Sequence, residues 1–157
     1  MRRSFSWSLA LGGVTVLITA CSLFESETTT APSSNVGGDA LPVQQPGEDY
    51  DIDPAPLSGT VILAPNGCWY ADVGDGPRIL MFPAGYTQDA VDGSIMCSPD
   101  GTAITDGVVF DGAGEMVRTA NIPGGPDGYW GNYLSFCQPE LDGVVILDSL
   151  NAVGGGN

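Results

Sequence analysis

The sequence predicts an all-β domain, closed as a small antiparallel barrel or folded as a compact sandwich. Three observations carry this. Short runs of β-favouring residues recur along the second two thirds of the 157-residue chain. Seven Asp-Gly dipeptides, at Asp75, Asp92, Asp100, Asp106, Asp111, Asp127 and Asp142, stand between or beside them. Asp-Gly is a strong hairpin signal, because Gly takes positive φ freely and Asp tolerates it better than most residues. No stretch holds a sustained 3.6-residue apolar period built from good helix formers.

Taken in order, the expected strands are Gly59–Ala64 (GTVILA), Cys68–Val73 (CWYADV), Arg78–Phe82 (RILMF), Val108–Phe110, Met116–Ile122, Tyr133–Cys137 and Val144–Leu147. Each is rich in branched or aromatic residues and is bounded by Gly, Pro, Asn or Asp. Their short spacing favours an antiparallel meander, with the folded domain over residues 57–153 and a Gly-rich tail over 154–157. At this length one domain fits and two full-sized ones do not.

Upstream of the domain the chain changes character twice. Residues 1–20 read as an export signal: Arg2 and Arg3 supply the positive start, and Trp7 to Ala20 form an apolar stretch ending in small residues. That stretch is shorter than the roughly 20 residues a permanent membrane helix needs. Ile18-Thr19-Ala20-Cys21 resembles a bacterial lipobox, in which an aliphatic and two small residues precede a cysteine. The resemblance implies a diacylglycerol (and further acyl groups such as palmitate) on Cys21 and cleavage just before it. Arg2-Arg3-Ser4-Phe5 also partly resembles a twin-arginine export motif, so the export route stays open. From 21 to 56 the composition is Ser, Thr, Glu, Asp, Pro and Gly, and a disordered acidic tether is expected there. A coil of that length reaches roughly 30–36 Å.

Charge excludes several functions. The chain has 19 acidic residues, four arginines and neither lysine nor histidine, for a net charge of −15. Removing residues 1–20 takes two arginines and no carboxylate, leaving −17 on the remainder. A nucleic acid would be repelled, since binding it needs clustered cations. Chemistry relying on a histidine base, a lysine Schiff base or a His-ligated zinc has no residue to use. Ser94, Ser98, Ser135 and Ser149 have no imidazole to activate them and no G-x-S-x-G elbow. No enzyme and no cofactor are therefore expected, and the membrane is reached only through the lipid at Cys21.

With Cys21 assigned to lipid, Cys68, Cys97 and Cys137 remain, and three pairings are possible. Cys68–Cys137 is the expected disulfide, because both cysteines lie in aromatic-flanked segments (GCWY and LSFC) that read as buried strands. Closing so long a loop contributes roughly 4 kcal/mol in the chain-entropy model. Three free buried thiols are the alternative. On the disulfide reading Cys97 is a spare thiol, inert in the core or free to pair between chains.

Two further features invite ligands. Asp72-Val-Gly-Asp75-Gly and Asp89-Ala-Val-Asp92-Gly share a spacing that oxygen-ligated calcium could use, and Asp111-Gly-Ala-Gly-Glu115 adds a third acidic loop. None matches an EF-hand, and turn chemistry explains most of these aspartates. Abundant Asp makes the carboxyl pair of a glycosidase possible by chance, but only two glutamates, Glu115 and Glu140, lie in the domain. A chain this small would also struggle to supply a deep substrate cleft. Tyr129, Trp130 and Tyr133 stand between glycines after Pro126-Asp127 and read as a loop with an exposed ring able to contact a sugar or a partner protein. The alternative is a loop that folds its tryptophan back as a lid on the barrel.

The series GTVILAPNGCWYAD, RILMFPAGYT, then GNYLSFCQ followed by VVILDSL resembles small β-domains of lipoproteins from high-GC Gram-positive bacteria. The resemblance covers about residues 58–150 and implies an OB-like barrel and an envelope location, but no activity. The expected function is a membrane-anchored, non-enzymatic binding or accessory module of the cell envelope, meeting an envelope protein or glycan. A calcium- or ligand-responsive structural module is the alternative, and a small carboxylate-dependent hydrolase a weaker one.

Overall fold

A computed structural model describes residues 41–124, 130–137 and 142–154. The expected signal, Cys21, the first part of the tether, Tyr129 and residues 155–157 lie outside the described residues.

The domain is all-β, and the barrel alternative is the one realised. Its strands are β1 (Ala55–Leu63), β2 (Trp69–Asp72), β3 (Pro77–Met81), β4 (Thr87–Gln88), β5 (Met96–Cys97), β6 (Ala103–Ile104), β7 (Val109–Val117) and β8 (Val144–Gly154), with one helix, α1 (Gly131–Cys137), between β7 and β8. Five strands close in the order β1-β2-β3-β8-β7, and β4-β5-β6 form a separate three-stranded sheet. With the five barrel strands counted along the chain, the ring is 1-2-3-5-4, a Greek-key closure of the OB-like kind.

The expected antiparallel barrel needs one correction. Four of the five pairings are antiparallel, but β3 and β8 run parallel, with Ile79 opposite Val144 and Met81 opposite Ile146. The reason is written in the side chains. ILMF and VVIL are continuous apolar runs, the pattern of strands covered on both faces. Leu80, Phe82, Val145 and Leu147 point into the barrel with Val61, Trp69 and Phe110. Ile79, Met81, Val144 and Ile146 point outward, into a second apolar layer beneath α1.

Three expected elements change. Tyr133–Cys137 is not a strand but lies in α1. Trp130, Tyr133, Leu134 and Cys137 are buried at the i, i+3, i+4, i+7 spacing of an amphipathic helix, and Asn132, Ser135 and Phe136 face solvent. Val108–Phe110 and Met116–Ile122 are not separate runs, because β7 joins them through Asp111-Gly112. Here Asp-Gly is mid-strand, not a turn. A Cβ on Gly112 would collide with the Ser149 carbonyl oxygen, and one on Gly114 would lie 2.5 Å from that of Ile146. These glycines let β7 approach β8 closely, with register shifts on the way, and so bend the ring shut. Beyond Val117 the chain leaves the sheet for a 3-10 turn over Thr119–Asn121.

Part of the segment expected as a disordered tether is folded, from Leu41 onward. Val43 forms a parallel bridge with Phe82, and the Phe82 N–H donates to the Pro42 carbonyl at 2.7 Å. Tyr50 is buried, its hydroxyl accepting from Trp130 Nε1 at 3.1 Å and from the Gln45 N–H at 2.9 Å. Val43 thus joins the inner cluster beside Phe82, while Tyr50 and Ile52 join the second apolar layer.

Candidate functional site

Cys68 and Cys137 form the expected disulfide, with Cα atoms 5.7 Å apart and 69 residues between them in sequence. It ties the start of β2 to the end of α1. Cys97 is not the expected spare thiol: it is disulfide-bonded as well, and no cysteine among the described residues is free.

The aromatic segment takes the lid alternative. Trp130 is fully buried and Tyr133 nearly so, their rings edge-to-face at 6.3 Å between centroids. The Tyr133 hydroxyl accepts the Trp69 N–H at 2.8 Å. Burial pushes its ionisation far above the ordinary tyrosine range. Trp130 and Tyr133 therefore hold α1 on the barrel and present no ring to a ligand. The ring α1 does expose is Phe136, half accessible.

The carboxylates are occupied by the backbone. Asp72 Oδ1 accepts from the Gly74 and Gly76 N–H groups, at 2.9 and 3.3 Å. Asp75 pairs with Arg78 at 2.6 Å. Asp89 Oδ1 accepts from Val91 and Asp92, and Asp92 Oδ1 from the Ser94 N–H and hydroxyl. Asp106 accepts the Leu63 N–H at 2.8 Å, locking β1 to the β6–β7 turn. The two D-x-x-D-G segments thus fold as loop caps. No three acidic or cysteine side chains among the described residues gather as a metal site.

The arrangement with most chemical character is a groove that sequence reasoning did not find. It lies between the β5–β6 hairpin and the last residues of β8, with a volume of about 360 Å³. Ser98 to Asp100, Thr102 and Ile104 form one wall, and Leu150 to Ala152 the other, with Tyr86 at the base. The β5–β6 turn is rigid by its own bonds. The Ser98 hydroxyl donates to Asp100, and the Thr102 N–H donates to Asp100 Oδ1 at 3.1 Å and to the Ser98 hydroxyl at 2.9 Å. The Ser98 hydroxyl first, then the Thr102 N–H, hold the Asp100 carboxyl below its usual range, so it is ionised at neutral pH.

Tyr86 is positioned from inside the barrel. Its ring stacks on Phe82 at 5.6 Å, and Phe82 meets Trp69 edge-on at 5.5 Å. Its hydroxyl donates to the Leu150 carbonyl at 3.3 Å. Burial first, then the field of the Asp100 carboxylate, raises the Tyr86 ionisation, which places phenol and carboxylate within electrostatic reach. The groove therefore offers an ionised acceptor, a neutral phenol, hydroxyls and the Asn151 amide above apolar patches from Pro99, Ile104, Leu150 and Ala152. Its parts come from three sequence regions, and only Ser98-Pro-Asp-Gly-Thr102 leaves a local trace, as a turn. Compared with known proteins, the chain matches no family model, no curated protein and no solved structure.

Proposed function

We propose that this protein is a lipid-anchored module on the outer face of the cell membrane, whose work is binding rather than catalysis. The observation that carries the reading is the Cys68–Cys137 disulfide. Such bonds persist in oxidising compartments and are rare in the cytosol, which agrees with an export signal ending at Cys21. The acidic surface supports it further: a chain of net charge −17 after signal removal is repelled by anionic lipid headgroups. The anchor must then be covalent, and two acyl chains give stable attachment where one is marginal. The resemblance to small β-domain lipoproteins points the same way. For binding, the groove beside β8 is the surface with convergent polar groups over an apolar base.

The test is metabolic labelling with an alkyne fatty acid in a Gram-positive host, followed by fractionation and intact mass measurement. The label should follow the wild-type chain into the membrane fraction, and Cys21→Ser should be unlabelled and released. With Cys68 paired to Cys137, lipid on Cys21 requires the Cys97 disulfide to be made with a second chain. A mature protein without lipid, or one whose Cys21 is held in a disulfide with Cys97, would overturn the reading.

A further inference from the structure

We infer that the groove between the β5–β6 hairpin and the end of β8 binds a neutral saccharide. The inference rests on the binding-module reading and names its ligand class. Sugars present hydroxyls that donate and accept around the ring edge, and C–H faces that pack on apolar surface. The groove supplies both. Asp100 is an ionised acceptor, and charge-assisted hydrogen bonds to a carboxylate are about twice as strong as neutral ones. Thr102 and Asn151 add a hydroxyl and an amide that both donate and accept. Pro99 and Ala152, both exposed, offer the apolar contact beside the buried Ile104 and Leu150. A volume of about 360 Å³ lies at the small end of ligand sites, suited to one or two sugar rings.

The other ligand classes fit less well. An anion would meet Asp100 with no cation to balance it. Arg78 is engaged with Asp75 and the Asp142 carbonyl, and neither it nor Arg118 lines the groove. An extended peptide adding to β8 would need its open edge, but the Tyr86 hydroxyl already caps the Leu150 carbonyl there, and Gln44 Nε2 caps that of Leu147 at 2.5 Å. A cationic amine would find a single carboxylate in the groove, with no second anion to offset the desolvation of its charge.

The test is calorimetric titration of the purified full-length protein with maltose, cellobiose and N,N′-diacetylchitobiose, beside digalacturonate and spermine at the same ionic strength. At least one neutral disaccharide should bind one-to-one with a millimolar Kd. Asp100→Asn keeps the acceptor that caps the β5–β6 turn and removes the charge, so affinity should fall about tenfold with the melting temperature nearly unchanged. Asn151→Ala should also weaken binding, and Met116→Ala, exposed but outside the groove, should not. Failure of all three neutral disaccharides to bind, binding indifferent to both groove variants, or binding of only the anion or the amine would each overturn the inference. If Cys21 is lipidated and no sugar binds, only the saccharide falls. If Cys21 carries no lipid, the envelope reading falls whatever the titration gives.

Discussion

Gly112 and Tyr133 show how much single residues decide in this barrel. Gly112→Ala would drive a methyl into the Ser149 carbonyl of the paired strand β8. Overpacking of this kind costs about 1–3 kcal/mol. The urea midpoint should drop by that free energy divided by the slope, with the slope unchanged. Tyr133→Phe leaves the buried Trp69 N–H without its acceptor and should cost about 1–3 kcal/mol in the same assay. Tyr133 also sets a pH dependence, together with Tyr50, Tyr70 and Tyr86. All four ionise above the ordinary value of 10.0, for burial first in each case. Their neutral forms are favoured by folding, so that stability is fully present below about pH 10 and lost as pH rises beyond it. Tyr133→Phe should flatten that alkaline loss, measured as urea midpoint against pH from 8 to 11 on a scale of about one pH unit per step. Of these residues Tyr133 was named by its place in an aromatic segment, but its role was not legible. A hydroxyl finds its partner 64 residues away only once the chain has closed.

At the scale of elements, α1 and its disulfide are the clearest case of a local pattern overruled. Its residues have modest helix propensity and it spans only seven positions, so propensity alone points to a strand. The i, i+3, i+4, i+7 burial of Trp130, Tyr133, Leu134 and Cys137 was nonetheless in the sequence as a period too short to stand out. Reducing the Cys68–Cys137 bond should cost about 2–4 kcal/mol, seen as a lower melting temperature and a shifted tryptophan emission as Trp130 reaches water. Trp130→Ala should cost about 3–5 kcal/mol because it empties the layer beneath the helix. That variant tests stability, not binding. The cysteine pair itself was legible because both positions sit among large apolar residues. The joining of two expected strands into β7 was not, since Asp-Gly reads as a turn unless the neighbouring strand is known to press against it.

For the molecule as a whole, charge is an arrangement of capped turns on a self-repelling surface. Calcium should stabilise the protein no more than magnesium at equal ionic strength, because the loop aspartates already accept backbone N–H groups. A thermal-shift series with the two chlorides and ionic-strength-matched sodium chloride checks this; a rise specific to millimolar calcium would contradict it. The sequence by itself determined the all-β class and most strand centres, because turn chemistry, alternation and apolar runs are local, and it favoured one of three cysteine pairings. It also determined that no histidine or lysine is present for catalysis. Only the tertiary structure decided that β3 and β8 run parallel, that residues 42–52 belong to the domain, that Trp130 is core, and that a groove opens beside β8. Each of these depends on which distant segments meet. A closed barrel brings together residues more than 60 positions apart, and no local pattern states its own partner.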